Sequence, residues 1–302
     1  MRLKIFKVLL LILTIFVGVG ALFGGVCMLI KPDGSLVFLD TLLPYFQVLP
    51  FADVLFQDYV FSGIMLILIN GITNIVASIL ILKNKKIGYV FGTIFGITLM
   101  LWITIQFAIF PFFVIDLVYF ILGVLQFIFG YIALVSYNQE YFNFNLNDYP
   151  DIDKESKTLV IYFSRKQYTK RIAYQKANSL KANICELKTK ERTEGDLGFW
   201  WCGRFAMHKW SMELLPLDID LNSYDDIVIV TPIWVFKMCS PVRQFILDNQ
   251  DILKCKNISF VFNHFNPWLP KGAIKEASSY IHINNVESMT TWLGHTFGLK
   301  KL

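Results

Sequence analysis

The chain has 302 residues, of which 55% are hydrophobic and 17% charged, with a formal net charge of +5. Its length leaves room for two domains of ordinary size, and so apolar a composition excludes a wholly water-soluble enzyme. The basic surplus is too small, and too little interleaved with aromatic residues, to make a nucleic-acid-binding surface, so no nucleic-acid partner is expected.

In chain order, residues 8–30, 60–82, 87–115 and 117–139 contain no charged side chain, and Asp116 separates the last two. Each run exceeds the ~20 residues a helix needs to cross a hydrocarbon core. Pro111, in the stretch QFAIFPFFVID, ends the third run early, because a lipid-facing break in backbone hydrogen bonding is costly. A tight interfacial turn is therefore expected around residues 106–116. Four spanning helices follow, the first of them retained rather than cleaved, since its apolar core is longer than that of a secretory signal. Gly88, Gly92 and Gly96 repeat every four residues in the third helix, and Gly20 and Gly24 do so in the first, which predicts close helix contacts. Asn70, Asn74 and Gln126 add polar groups that are expected to bond between helices. With no histidine before His208, this half offers no imidazole ligand pair, and no haem is expected.

Arg2, Lys4 and Lys7 precede the first span, and Lys83, Lys85 and Lys86 separate the second from the third. The first loop instead carries Lys31 against Asp33, Asp40, Asp53 and Asp58. The positive-inside rule then places both termini in the cytoplasm of a multi-pass protein of the cell membrane, with the lipid bilayer as its first partner. Cysteines at 27, 185, 202, 239 and 255 form no CxxC or Cys/His pattern, so free thiols and no metal are expected.

Residues 140–156 have no helical or strand period and read as a linker between a domain at 1–139 and a second at 157–302. Residues 151–302 hold 21 Lys plus Arg against 16 Asp plus Glu, so the net positive charge lies there. Short β-branched runs at 157–163, 183–188, 226–231, 257–262 and 286–293 alternate with helix-like stretches that begin near Thr169, Ser240 and Pro270. Strands spaced by helices imply crossover connections and a parallel sheet covered on both faces. Between the second and third strands, Trp200, Trp201 and Trp210 fall at near-helical spacing. A core position is the expected one for them, with a membrane-facing belt as the alternative.

The run VIYFSRKQYTKRIA resembles the first strand, phosphate turn and first helix of the flavodoxin-like family, whose turn reads Ser/Thr-x-Thr-Gly-x-Thr. The run DIVIVTPIWVFKMCSPVRQFI resembles the family's third strand and following loop. The resemblance covers about residues 157–293 and implies a five-stranded parallel sheet in the order 2-1-3-4-5, with FMN held at the strand ends. It also implies that the last helix is short or missing, because only GHTFGLKKL follows the fifth strand. Carried over residue by residue, the implied cofactor site comprises Ser164, Arg165, Lys166, Gln167, Tyr168 and Thr169, then Thr231, Pro232 and Trp234, then Asn263 and His264 in NHFNPW. Ser164, Thr169, Thr231, Pro232 and Trp234 match the pattern, and Trp234 stands where the family places an aromatic beside the flavin. Lys166 replaces a hydroxyl residue, while Gln167 and Phe236 replace glycines. Thr169 suits an N-cap for the helix that follows. His264 is expected at the surface with its ring hydrogen-bonded.

Two functions fit these residues. One is a membrane-anchored flavodoxin-like protein that binds FMN and passes electrons to or from a redox partner protein. The other is a non-redox anchor or regulatory module on the same fold that has lost FMN. The orientation is testable by itself: an externally added thiol reagent is expected to label Asp40→Cys and not Ser156→Cys, and the reverse pattern would invert the topology.

Overall fold

The computed structural model describes residues 2–266 and 270–301 and divides into two compact units, Met1–Glu140 and Tyr141–Leu302. In the first unit, four helices are long and apolar enough to cross a membrane: α1 (Arg2–Ile30), α2 (Val60–Leu82), α3 (Lys86–Ile109) and α4 (Val114–Glu140). The break between α3 and α4 is tighter than the sequence suggests, because α3 ends just before Pro111 and α4 resumes three residues beyond it.

Glycine sets the helix contacts. A Cβ on Gly96 would lie 2.8 Å from the Gly123 carbonyl oxygen and 2.6 Å from the Phe127 nitrogen, so α3 and α4 touch backbone to backbone. Gly25 and Gly63 make the equivalent approach between α1 and α2, with a Cβ on Gly25 2.7 Å from the Gly63 carbonyl oxygen. The expected Gly20/Gly24 pair of α1 is not such a seam, because each would meet only a side-chain atom, at 3.4 and 3.5 Å. Spacing alone does not say which glycines face a neighbour.

Of the three polar residues expected to bond between helices, Gln126 and Asn74 do, whereas the buried Asn70 side chain has no hydrogen-bond partner. Gln126 Nε2 donates to Asn74 Oδ1 at 2.8 Å and to the Gly92 carbonyl at 3.0 Å, and Ser78 Oγ reaches Thr14 at 2.8 Å. Asn70 lies in a π-helical turn of α2, residues Ile67–Ile72, and is buried.

The second unit is an α/β layer structure. Its strands are β1 (Thr158–Tyr162), β2 (Asn183–Glu186), β3 (Asp226–Trp234), β4 (Lys237–Met238), β5 (Asn257–His264), β6 (Asn285–Trp292) and β7 (His295–Lys301). The order is β2-β1-β3-β5-β6-β7, with β4 folded back on β3. The parallel part, β2-β1-β3-β5-β6, keeps the expected 2-1-3-4-5 order. The whole sheet, however, is mixed and seven-stranded, not parallel and five-stranded. The residues after β6 form β7 instead of a stub of helix. The chain returns antiparallel through the two-residue turn Leu293–Gly294, a hairpin connection that two residues suffice to make.

One sheet face packs Ile161, Ile229, Phe260 and Phe262 under α7 (Ser240–Asp248) and α8 (Lys271–Ser278). The other face packs Val160, Val228 and Val230 under α5 (Tyr168–Leu180), with Ile152 and Tyr174 at its margin. The segment read as a linker lies along α5. Phe144 stacks edge-on against Tyr174 at 4.9 Å, Tyr149 meets the same ring at 5.6 Å, and the Asn178 side chain accepts from the Asp151 amide. This strap covers part of the face that a last helix would otherwise take.

The backbone contact at Gly96 yields a prediction. Gly96→Leu should cost the detergent-solubilised protein about 3 kcal/mol of thermal stability, as overpacking against immovable backbone does. Gly92→Leu should cost less, because its Cβ meets only the movable Leu10 side chain, at 3.1 Å. Val90→Leu is the control, and equal melting of all three variants would remove the case for a glycine seam.

Candidate functional site

The C-terminal ends of β1, β3 and β5 carry the three loops that the flavodoxin-like pattern marks. The first, Ser164–Gln167, leads into α5. Its backbone answers the loss of glycine directly: Gln167 adopts φ 63°, the left-handed conformation that glycine takes without strain. Gln167, not Thr169, is therefore the residue at the helix cap. Thr169 lies in the first turn of α5, and its hydroxyl accepts from Asn263 Nδ2 at 3.1 Å. Among the described residues, the amides of Lys166, Gln167, Tyr168 and Thr169 donate no backbone hydrogen bond, as expected at a helix start, while the Gln167 carbonyl accepts from the Arg171 amide at 2.9 Å. Ser164 Oγ is buried with no hydrogen-bond partner. An orphaned hydroxyl beside open amides fits a phosphate group, since a buried polar atom without a partner is costly.

Four cations crowd this turn, and the structure separates their roles. Arg171 bonds the Gly294 carbonyl at 2.8 Å and Thr296 at 2.9 Å, and its guanidinium lies 4.8 Å from the Phe142 ring. Lys170 sits 5.0 Å over Phe144 of the strap. Arg165 lies 5.2 Å over Phe199 and bonds the Gly195 carbonyl. Among the described residues only Lys166 of the four makes no such contact.

The second loop is the β3–β4 hairpin. Trp234 pairs with Lys237, so Val235 and Phe236 form a two-residue turn, with φ 47° and 61°. Such turns favour Asn-Gly, and a β-branched valine there is a backbone outlier. Phe236, like Gln167, occupies a glycine position in a glycine-like conformation. Thr231 is fully buried and meets the Cys239 sulfur at 3.2 Å, while Pro232 is half-buried. Trp234 turns inward, edge-on to Phe163 at 5.4 Å, so its ring belongs to the core side of the loop.

In the third loop, Asn263 links β5 to both Thr169 and Thr291, whose hydroxyl donates to its Oδ1 at 2.7 Å. Its polar groups are thereby spent on holding the start of α5. His264 is buried, not a surface residue. Its Nδ1 meets the Asn266 carbonyl and its Nε2 lies 2.7 Å from Ser288 Oγ. Burial holds the imidazole below its ordinary pKa against the smaller opposing effect of the Asn266 carbonyl. A carbonyl can only accept, so in the neutral ring Nδ1 carries the proton and Nε2 accepts from the serine. Pro267 and Trp268 of NHFNPW lie outside the described residues.

The structure thus brings together Ser164 through Thr169 with Asn263, and turns Thr231, Trp234 and His264 inward. Sequence reasoning missed Arg171 as a tie to the β6–β7 turn and Ser288 as the histidine partner. Neither has a local signal, since their partners lie 123 and 24 residues away.

The strained turn predicts a gain. A left-handed non-glycine residue costs roughly 1–3 kcal/mol, so Gln167→Gly should raise unfolding stability by about 1 kcal/mol after the entropic cost of glycine. A loss of stability on denaturant unfolding would contradict the assigned conformation.

No protein-family model matches the chain, and no curated protein does. Solved structures do. A flavoprotein in complex with FMN from Lactobacillus acidophilus is 21% identical with a TM-score of 0.36, the alignment covering 43% of this chain and 91% of that one. Two proteins assigned as flavoproteins, from Bacteroides eggerthii and Bacteroides uniformis, are 20% and 21% identical, both with a TM-score of 0.39. They cover 44% and 46% of this chain and 87% and 94% of their own. These solved structures are a flavoprotein and two proteins assigned as flavoproteins, and no family model covers either half of the chain.

Proposed function

We propose that the C-terminal unit binds FMN through the turn Ser164–Thr169 and serves as an electron-transfer module carried by a membrane-spanning bundle, with both termini on the cytoplasmic side. The single observation that supports this most is the left-handed backbone at Gln167. The turn holds its glycine-type shape, at a cost in strain, although the glycine is gone. Strain kept at a loop end marks a functional site more often than a neutral one. The orphaned Ser164 hydroxyl and the uncommitted Lys166 side chain flank the same open amides.

Ser164, Lys166 and the amides of Gln167, Tyr168 and Thr169 are the groups that would hold the phosphate. The dipole of α5 favours an anion at its start, and Lys166 adds a full charge where the backbone approach is more obstructed than beside glycine. Asn263 keeps that helix start in place through Thr169. Bound FMN would supply one- and two-electron redox chemistry to a partner protein or small molecule. Trp234, packed on Phe163, is not positioned to cover a flavin without moving. That inward turn favours the second reading, a non-redox module that binds a phosphate group alone.

Titration of the full-length protein in detergent separates the two. Saturable FMN binding, weakened by salt and reduced roughly tenfold by Lys166→Ala, is expected, since a hydrogen bond to a charged group is worth about 1.5–3 kcal/mol. Binding of inorganic phosphate without FMN would favour the non-redox module. Binding of neither by folded protein would end the proposal.

A further inference from the structure

Helix α6 (Gly195–Met207) is built inside out. The residues it turns toward the sheet are small: Gly198, Cys202 and Ala206, spaced by four, are all buried. Its large apolar residues face outward, with Leu197 63%, Trp200 74% and Met207 56% exposed. A helix at a water-facing surface does the opposite and turns its large apolar side chains inward. The tip of the β3–β4 hairpin continues the face: Phe236 is 70% exposed, and Val235 joins α6 in lining an apolar groove of about 620 Å³. The tryptophans expected in the core are thus at the surface. At its start the helix has no room for a side chain on that side: a Cβ on Gly198 would stand 2.3 Å from the carbonyl carbon of Thr193, in the segment leading into α6.

The lining of the groove includes Arg204 and no carboxylate, and Lys209 and Lys237 lie in the same segments; the acidic residues of this region, Glu194, Asp196 and Glu213, fall at the start of α6 and beyond its end. Arg204 lies over the faces of both Trp201 and Trp210, at 5.9 and 5.6 Å, so its guanidinium rides on the aromatic surface. Tryptophan with basic residues is the composition of a membrane interface, where rings sit at headgroup level and cations meet anionic lipid. A protein-binding patch carries no such need for a groove lined by tryptophans and a basic side chain without a carboxylate. The same chain has four helices able to span a bilayer, and only 17 residues separate α4 from β1.

We propose that the face formed by α6 and the β3–β4 hairpin docks the C-terminal unit on the surface of an anionic lipid bilayer. This rests on the reading that the first unit spans the membrane, and the two can fail separately.

The test uses the full chain in vesicles, with the exposed native thiol removed by Cys255→Ser. An environment-sensitive fluorophore is placed at Phe236→Cys, or at Asp251→Cys as a control beyond the opposite end of the sheet. Vesicles are phosphatidylcholine with or without phosphatidylglycerol, carrying a nitroxide near the headgroup. The expected result is strong quenching at position 236 and little at 251, only in the anionic vesicles. Arg204→Glu combined with Lys209→Glu should lower the docked-to-undocked ratio roughly thirty-fold or more, from about 1 kcal/mol for each basic residue. Trp200→Ser, at a highly exposed side chain, should also reduce quenching. Equal quenching at both positions, in protein that resists alkaline extraction, would overturn the docking while leaving the spanning helices intact. Quenching indifferent to lipid charge would overturn the anionic surface as the occupant. Shielding from an aqueous quencher without lipid quenching would assign the face to a protein and overturn the proposal. Release of the protein by alkaline extraction would remove the spanning reading and the proposal with it.

Discussion

The buried ion pair between Arg243 and Glu276 holds the loop end of the α/β unit in place. Both side chains are almost fully withdrawn from solvent, and Arg243 Nε meets Glu276 Oε1 at 2.6 Å. The other guanidinium nitrogens bond the carbonyls of Trp210 and Met238 and the Ser240 hydroxyl, while the second carboxylate oxygen accepts from the Met238 amide. One side chain thereby joins α7, α8, the second strand of the hairpin and the end of the aromatic segment. A pair so well satisfied offsets its own desolvation, whereas one partner alone would leave a buried charge at a cost of about 3–5 kcal/mol. The strained Val235–Phe236 turn and the outward-facing α6 both hang from this cluster.

With the frame fixed, the loops tolerate backbone that the sequence alone would not choose. Gln167, Val235 and Phe236 are all left-handed, and all lie just past the carboxyl ends of parallel strands. Open α/β sheets bind ligands at that edge. The side chains at these positions add bulk to that edge, and Lys166 adds charge beside Gln167, so the backbone there is glycine-like in shape while its side chains are not.

The parts of this architecture that were legible in the sequence are those encoded by local pattern. The four spans follow from long uncharged runs, and the strands β1, β3 and β5 from dense β-branched segments that must be buried on both faces. Helix starts at Ser240 and Pro270 were readable from proline and small polar residues. The remainder depends on contacts between distant residues. The strap at 141–153 looks like a linker because its aromatics have no period, yet they pack on Tyr168 and Tyr174 of α5. Trp200 and Trp201 have helical spacing, but spacing does not say which side of a helix is crowded. Thr169 has the chemistry of a cap, and only the left-handed Gln167 shows that the helix begins before it. Among the candidate site residues, the turn was legible as a unit, while the inward orientation of Thr231, Trp234 and His264 was not.

The strap has a further consequence. Phe142 lies against both Tyr168 and Arg171, and Phe144 lies under Lys170, so the strap packs on the first turn of α5, the turn that also begins the phosphate-type site at Tyr168 and Thr169. Two processes that order the same helical turn are thermodynamically linked, and the linkage is reciprocal. Any free energy that an anion at Ser164–Thr169 contributes to packing of the strap is returned, in equal amount, as anion affinity when the strap is packed.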